Sequence, residues 1–152
     1  AAAAALLQLY GREGHRVSYK NTIVADVGGR PVGFALFYHG SEAERLDRPL
    51  EERAAALANK PPVRFAREAS PDEFYLDALA VDPACRGQGI AKALLAAFEA
   101  EAVARGHDRV GLIVESGNAH ARRLYERIGY IRDGEVELCG HRYDHMAKRP
   151  AR

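Results

Sequence analysis

The sequence contains no tryptophan, one methionine and two cysteines in 152 residues. Cys85 and Cys139 form no CxxC pair and are too few for a secreted disulfide framework, which favours a reducing, cytoplasmic setting. No apolar run reaches the roughly 20 residues that a membrane-spanning helix needs. Charge of one sign is missing too: 22 Lys and Arg meet 21 Asp and Glu, for a net +1. Such a balance creates no basic field to gather nucleic acid or an anionic membrane, so any ligand must be held by local groups. Low-complexity sequence is confined to the five alanines at positions 1–5. With those alanines at its start and Met146 as its only methionine, the chain is expected to continue upstream.

The residues present are ordinary globular material, 47% hydrophobic and 28% charged. At this length a single domain, spanning residues 1–152, buries roughly 68 to 70% of the surface of its unfolded chain. Thr22 to Val27 and Val32 to Tyr38 are rich in β-branched and aromatic residues, and Gly28 and Gly29 between them suit a tight hairpin turn. Ser41 with Glu44 suits a capping box, and Pro49 suits a first helical position. Pro61 and Pro62 bring the helical pattern to a stop, so one or two short charged helices are expected before them. Strict alternation over Glu73 to Val81 puts Phe74, Leu76, Ala78 and Ala80 on one face of a largely buried strand, with Tyr75, Asp77, Leu79 and Val81 on the other. Gly87 to Arg105 carries Ile90, Leu94 and Phe98 at helical spacing and ends at Gly106. Arg109 to Val114 is an apolar strand, which makes a βαβ crossover. Asn118 can cap a last helix with the stripe Ala121, Leu124, Tyr125 and Ile128, and two strand-like pieces complete the chain.

A strand, the loop Asp82 to Arg86 and a helix opening RGQGIA aim unpaired backbone N–H groups and the positive end of a helix dipole at one point, where an anion belongs. Gly87 and Gly89 let a phosphate approach the main chain, and Arg86 adds charge at the rim. A P-loop would need GxxxxGK followed by Ser or Thr, which does not occur. A dinucleotide fingerprint begins correctly at Gly87 and Gly89 but meets Lys92 in place of its third glycine. Glu115 stands where a ribose-binding acid would sit, so a nucleotide-binding oxidoreductase taking NAD stays open on these residues alone.

The strings LAVDPACRGQGIAKALL and VESGNAHARRLYERIGY closely resemble the GNAT superfamily of acetyl-CoA-dependent N-acetyltransferases, from about Tyr19 to the C-terminus. Arg86, Gly89 and Ala91 meet the family's pyrophosphate motif. The resemblance implies an α/β (α+β) fold whose mixed, mostly antiparallel central sheet has flanking helices and a V-shaped split between the parallel strands 73–81 and 109–116. It implies acetyl-CoA as cosubstrate, its pantetheine on the backbone of Leu79, Ala80 and Val81 and its pyrophosphate on the amides of Arg86, Gly87, Gln88, Gly89, Ile90 and Ala91. Asn118 and Tyr125 match positions that touch the pantetheine arm and sulfur. The family's first strand and the start of its first helix would precede Ala1, so the domain is expected to be N-terminally incomplete. The segment between Gly40 and Asp72 is longer than in a minimal member. Homodimers are common in the family.

The implied reaction moves acetyl to a primary amine, on a small molecule or a peptide, by direct attack in a ternary complex. The acceptor ammonium, with pKa near 10.4, must first lose a proton, at a cost of roughly 4 to 5 kcal/mol at neutral pH. Asp77 is the first candidate base and Glu115 the second. A backbone N–H near Leu79 could stabilise the oxyanion, and Tyr125 could protonate the leaving thiolate. No metal is required. Cys139, His141 and His145 alternate on one strand face, but His141 and His145 would lie roughly 13 Å apart in an extended strand, too far to share zinc. Simpler roles compete: Tyr125 as a core aromatic, Asn118 as a plain helix cap, Asp77 and Glu115 as solvated charges. The competing function is a catalytically silent acyl-CoA-binding sensor or interaction module.

Overall fold

The computed structural model describes residues 2–152; Ala1, the first of the five alanines, lies outside the described residues. Helix α1 (Ala2–Tyr10) is followed by the hairpin of β1 (Thr22–Val27) and β2 (Arg30–His39). Gly28 and Gly29 have φ of +61° and +83°, the left-handed turn whose twist matches that of the flanking strands. The Asp26 carboxylate accepts from Gly29 N–H at 2.8 Å and fixes the turn.

The charged stretch after the hairpin departs from expectation. It is one sixteen-residue helix, α2 (Ala43–Ala58), with Pro49 in its interior. Ser41 belongs to a preceding 3-10 turn capped by the His39 side chain, so it does not cap α2. Pro49 removes one intrahelical N–H, but the buried Ala43, Leu46, Asp47 and Glu51 lie on both sides of it. Tertiary packing across the proline keeps the helix whole, and it ends with Asn59 in the left-handed region.

Strand β3 (Phe74–Val81) leads through a short 3-10 turn to α3 (Ile90–Ala104), then β4 (Val110–Glu115), α4 (Ala119–Arg127), β5 (Ile131–Leu138) and β6 (His141–Lys148). The strands form one sheet in the order β1-β2-β3-β4-β6-β5. All neighbours are antiparallel except β3 and β4, which α3 joins by the expected crossover. Helix α3 buries Leu94, Leu95, Phe98 and Ala102 against Phe37, Phe74 and Leu76, with Phe98 and Phe74 stacked at 5.3 Å. Each such aromatic burial contributes roughly 1.5 to 3 kcal/mol. Ala121, Leu124 and Tyr125 of α4, with Ile128 at its C-cap, close the same core, while α2 packs Leu46 and Ala43 on Tyr38 and Tyr75 in a second cluster.

Strict alternation fails in β3. Leu36 pairs with Ala78 and Phe37 with Leu76, so Asp77 is the extra residue of a β-bulge. The bulge exchanges the faces beyond it. Leu79 and Val81 join Phe74 and Leu76 on the main core, and Ala78 and Ala80 share the opposite face.

Candidate active site

The opening in the sheet is set by strand pairing. β3 and β4 pair only over Phe74–Leu76 and Val110–Leu112. β3 continues on β2 to Val81, and β4 continues on β6 to Glu115. Beyond Leu76 the two parallel strands therefore hold different partners and leave facing edges free. The Asp82 N–H donates to Val32 O on β2 at 2.7 Å, and N–H directions alternate along a strand. Leu79 and Val81 consequently turn their N–H and C=O groups into the opening, whereas Ala80 turns its own toward β2. Of the three residues expected to bind a pantetheine arm, two are free to do so through the backbone.

The chain then enters the loop before α3. Asp82 pins it at both oxygens, Oδ1 accepting from Ala84 N–H and Oδ2 from Arg30 Nη2, each at 2.9 Å. Gly87 and Gly89 have φ of +75° and +79°, which favours glycine over any residue with a Cβ. Gly89 is the N-cap of α3 and has no side chain to fold over the helix end; the first intrahelical bond runs from Ala93 N–H to Gly89 O at 3.0 Å. The N–H groups of Ile90, Ala91 and Lys92 thus lie ahead of that bond. Arg86, Gly87, Gln88 and Gly89 are exposed, and a Cβ built on either glycine would meet no atom within 4 Å. Open space, free amides and a helix dipole at one place fit a diphosphate.

Across the opening, Asn118 caps α4 by accepting from Ala121 N–H at 3.1 Å, so its cap role is real. Tyr125 is half-buried on the inner stripe of α4, edge-on to Tyr130 at 5.9 Å. Burial raises its phenol above the ordinary value, which keeps it protonated at neutral pH. The helix is tied to the sheet by Asp144, which is buried and receives Arg122 at 3.0 Å and Arg132 at 2.9 Å. The Arg132 hydrogen bond, against the cost of burial, holds the Asp144 carboxyl low.

The two candidate bases are not brought together. Glu115 is exposed at the end of β4, with His141 at 3.8 Å. Asp77, on its bulge, is occupied: Oδ2 accepts from Arg16 Nε at 3.2 Å and Oδ1 from Arg16 Nη2 at 2.5 Å. Arg16 also meets Asp47 of α2 at 3.2 Å and Glu68 at 3.5 Å, and it lies over the Tyr38 ring at 5.3 Å. Glu68 accepts in turn from Tyr75 O–H at 3.0 Å. Burial, chiefly, raises the carboxyls of both Asp47 and Glu68. Arg16, Asp47 and Glu68 carry no periodic or motif signal in the sequence; only folding brings the segment after α2 to the strand that flanks the opening.

A second buried cluster sits where β3 and β4 still pair. His145 Nε2 is 2.9 Å from the fully buried Glu73, and its Nδ1 is bonded to Asp133. The Glu73 hydrogen bond, against desolvation, raises the imidazole to about 9. Cys139 lies in the β5–β6 turn with φ +50°, outside any strand face shared with His141 and His145.

Comparison with known proteins agrees with this architecture. Residues 4–130 match the acetyltransferase (GNAT) family. The chain is 44% identical over 63 residues to a mycothiol acetyltransferase of Beutenbergia cavernae, an overlap of 41% of this chain and 20% of that protein. It is 44% identical over 59 residues to the [ribosomal protein bS18]-alanine N-acetyltransferase of Haemophilus ducreyi, covering 39% of this chain and 41% of that one. The chain thus spans well under half the length of these curated relatives. A solved acetyltransferase structure superposes with a TM-score of 0.77 at 32% identity, over 90% of this chain and 74% of the other.

Proposed function

The chain belongs to the GNAT acetyltransferase family, and from that premise we propose that it transfers acetyl from acetyl-CoA to a primary amine by direct attack in a ternary complex. The observation that carries the reading is the split between β3 and β4 with the free amides of residues 87–91 at its mouth. Acetyl-CoA supplies the acetyl group already activated as a thioester. The loop amides and Arg86 hold its diphosphate, and Leu79 and Val81 offer backbone partners to its amide-bearing arm. The Leu79 N–H, unclaimed by β4, is placed to donate to an oxyanion at the carbonyl. Tyr125, kept protonated by burial, gives its proton to the departing sulfur, and the amine nitrogen returns one as the amide forms.

Asp77 is reserved for holding Arg16, and Glu115 stands at the exposed strand end. The proton lost by the acceptor is taken up through the carboxylates around Arg16. No step calls on a metal.

Thiol release measured over a panel of amines tests the reading, with Tyr125→Phe as the paired variant. Turnover that falls in the variant supports it. Tight acetyl-CoA binding without turnover on any amine would favour a silent sensor, and NAD(H) displacing coenzyme A would favour the oxidoreductase.

A further inference from the structure

An apolar cavity of about 830 Å³ lies between α1 and the face of β1, β2 and β3 opposite the main core. Leu6 and Tyr10 of α1, Val17, and Val24, Phe34 and Ala80 of the sheet line it, and among its described lining residues none is basic. Two continuities decide what it is for. Ala80 and Val81 belong both to the cavity and to the strand that flanks the split. Val17 and Ala78 line the cavity while their chain neighbours Arg16 and Asp77 form the charged cluster. The wall at Val17 and Ala78 is therefore one residue along the chain from the charged cluster, and the wall at Ala80 lies on the strand that flanks the split.

That cluster is not neutral. A single guanidinium faces the three carboxylates of Asp47, Glu68 and Asp77. We propose that the acceptor is a primary amine on an apolar body, which lies in this cavity with its ammonium turned toward the carboxylates around Arg16. This rests on the acetyl transfer proposed above and narrows its acceptor to a hydrocarbon-rich amine. Glu68 is the cluster's open member: its side chain is 26% exposed, against 8% for Asp47 and 10% for Asp77. It takes one proton from the ammonium and passes it to solvent. The freed nitrogen lone pair forms the C–N bond, the C–S bond breaks, and sulfur keeps the electron pair and is protonated by Tyr125, which regains a proton from the nitrogen as the amide forms. Burial, with Asp77 adding to it, already biases Glu68 toward binding a proton.

The test is calorimetric, on the whole protein saturated with coenzyme A, using straight-chain amines from ethylamine to octylamine with hexanoate as the charge-reversed control. Affinity should rise roughly fourfold per methylene as carbon enters the cavity. Hexanoate should bind at least tenfold more weakly than hexylamine. Val24→Asp, at an exposed lining position, should flatten the series, and Glu68→Gln should weaken hexylamine binding severalfold. A series flat in chain length, with thiol release intact on a polar amine such as ethanolamine, would overturn the proposal and leave acetyl transfer standing; the cavity would then belong to another polypeptide segment. Hexanoate binding as well as hexylamine would overturn the ammonium placement. Hexylamine bound with the expected preference but never acetylated would sink the reaction and keep the binding site.

Discussion

Tyr125 combines two roles that a sequence pattern sets against each other. It packs on the core stripe of α4, and the same burial that makes it a core residue raises its phenol and preserves the proton of its proposed donor role. Removing only the hydroxyl should leave packing intact. Tyr125→Phe is accordingly expected to lower kcat by roughly 10²- to 10⁴-fold while the KM for acetyl-CoA changes little, as read by thiol release. A rate unchanged by the substitution would return Tyr125 to a purely structural role. His145 offers a pH test. Its folded value of about 9 lies above the unfolded one near 6.5, so the stability it supplies is complete below about pH 6.5 and is lost as pH rises through 9. Denaturant midpoints should fall between pH 7 and 10, and His145→Gln should flatten that fall.

At the scale of elements, the close approach of β3 to β4 depends on Gly111. A Cβ there would sit 2.0 Å from Glu73 Oε2 and 2.4 Å from its carboxyl carbon, against a buried group already bonded to His145 and Ser70 N–H. Gly111→Ala should cost roughly 1 to 3 kcal/mol, seen as a lower midpoint of unfolding. Arg16 ties the segment before β1 to α2 and to the bulge of β3. Arg16→Met leaves the buried Asp47 and Asp77 without their counterion and should cost roughly 3 to 5 kcal/mol by the same measurement. The hairpin, α3 and the cap of α4 are legible in the sequence because their signals are local: two adjacent glycines, a four-residue apolar spacing, an asparagine ahead of a helix. The bulge is not. Whether Asp77 is an extra residue depends on where β2 places Leu36 and Phe37, some forty positions away, and alternation within β3 alone assigns Leu79 and Val81 to the wrong face. Pro49 misleads for the same reason, since packing on its two sides outweighs a local breaker.

Across the whole molecule, function is divided between a legible half and a hidden one. The loop at residues 86–91 announces itself through glycines at a helix start, and the structure leaves the amides of residues 87–91 open beside a split sheet. The proposed acceptor side is assembled from Arg16, Asp47, Glu68 and Asp77, which lie up to 61 residues apart and share no motif. Its chemistry emerges only when the bulge turns Asp77 toward Arg16. Titration of the isotope-labelled protein with acetyl-CoA, followed amide by amide in ¹H–¹⁵N spectra, tests the central claim most directly. The largest shifts should fall on residues 86–91 and on Leu79 and Val81, and Gly89→Val, whose side chain is strained at φ +79°, should weaken the binding at least tenfold. Saturating acetyl-CoA that leaves those amides unmoved, or binding unchanged in Gly89→Val, would contradict it.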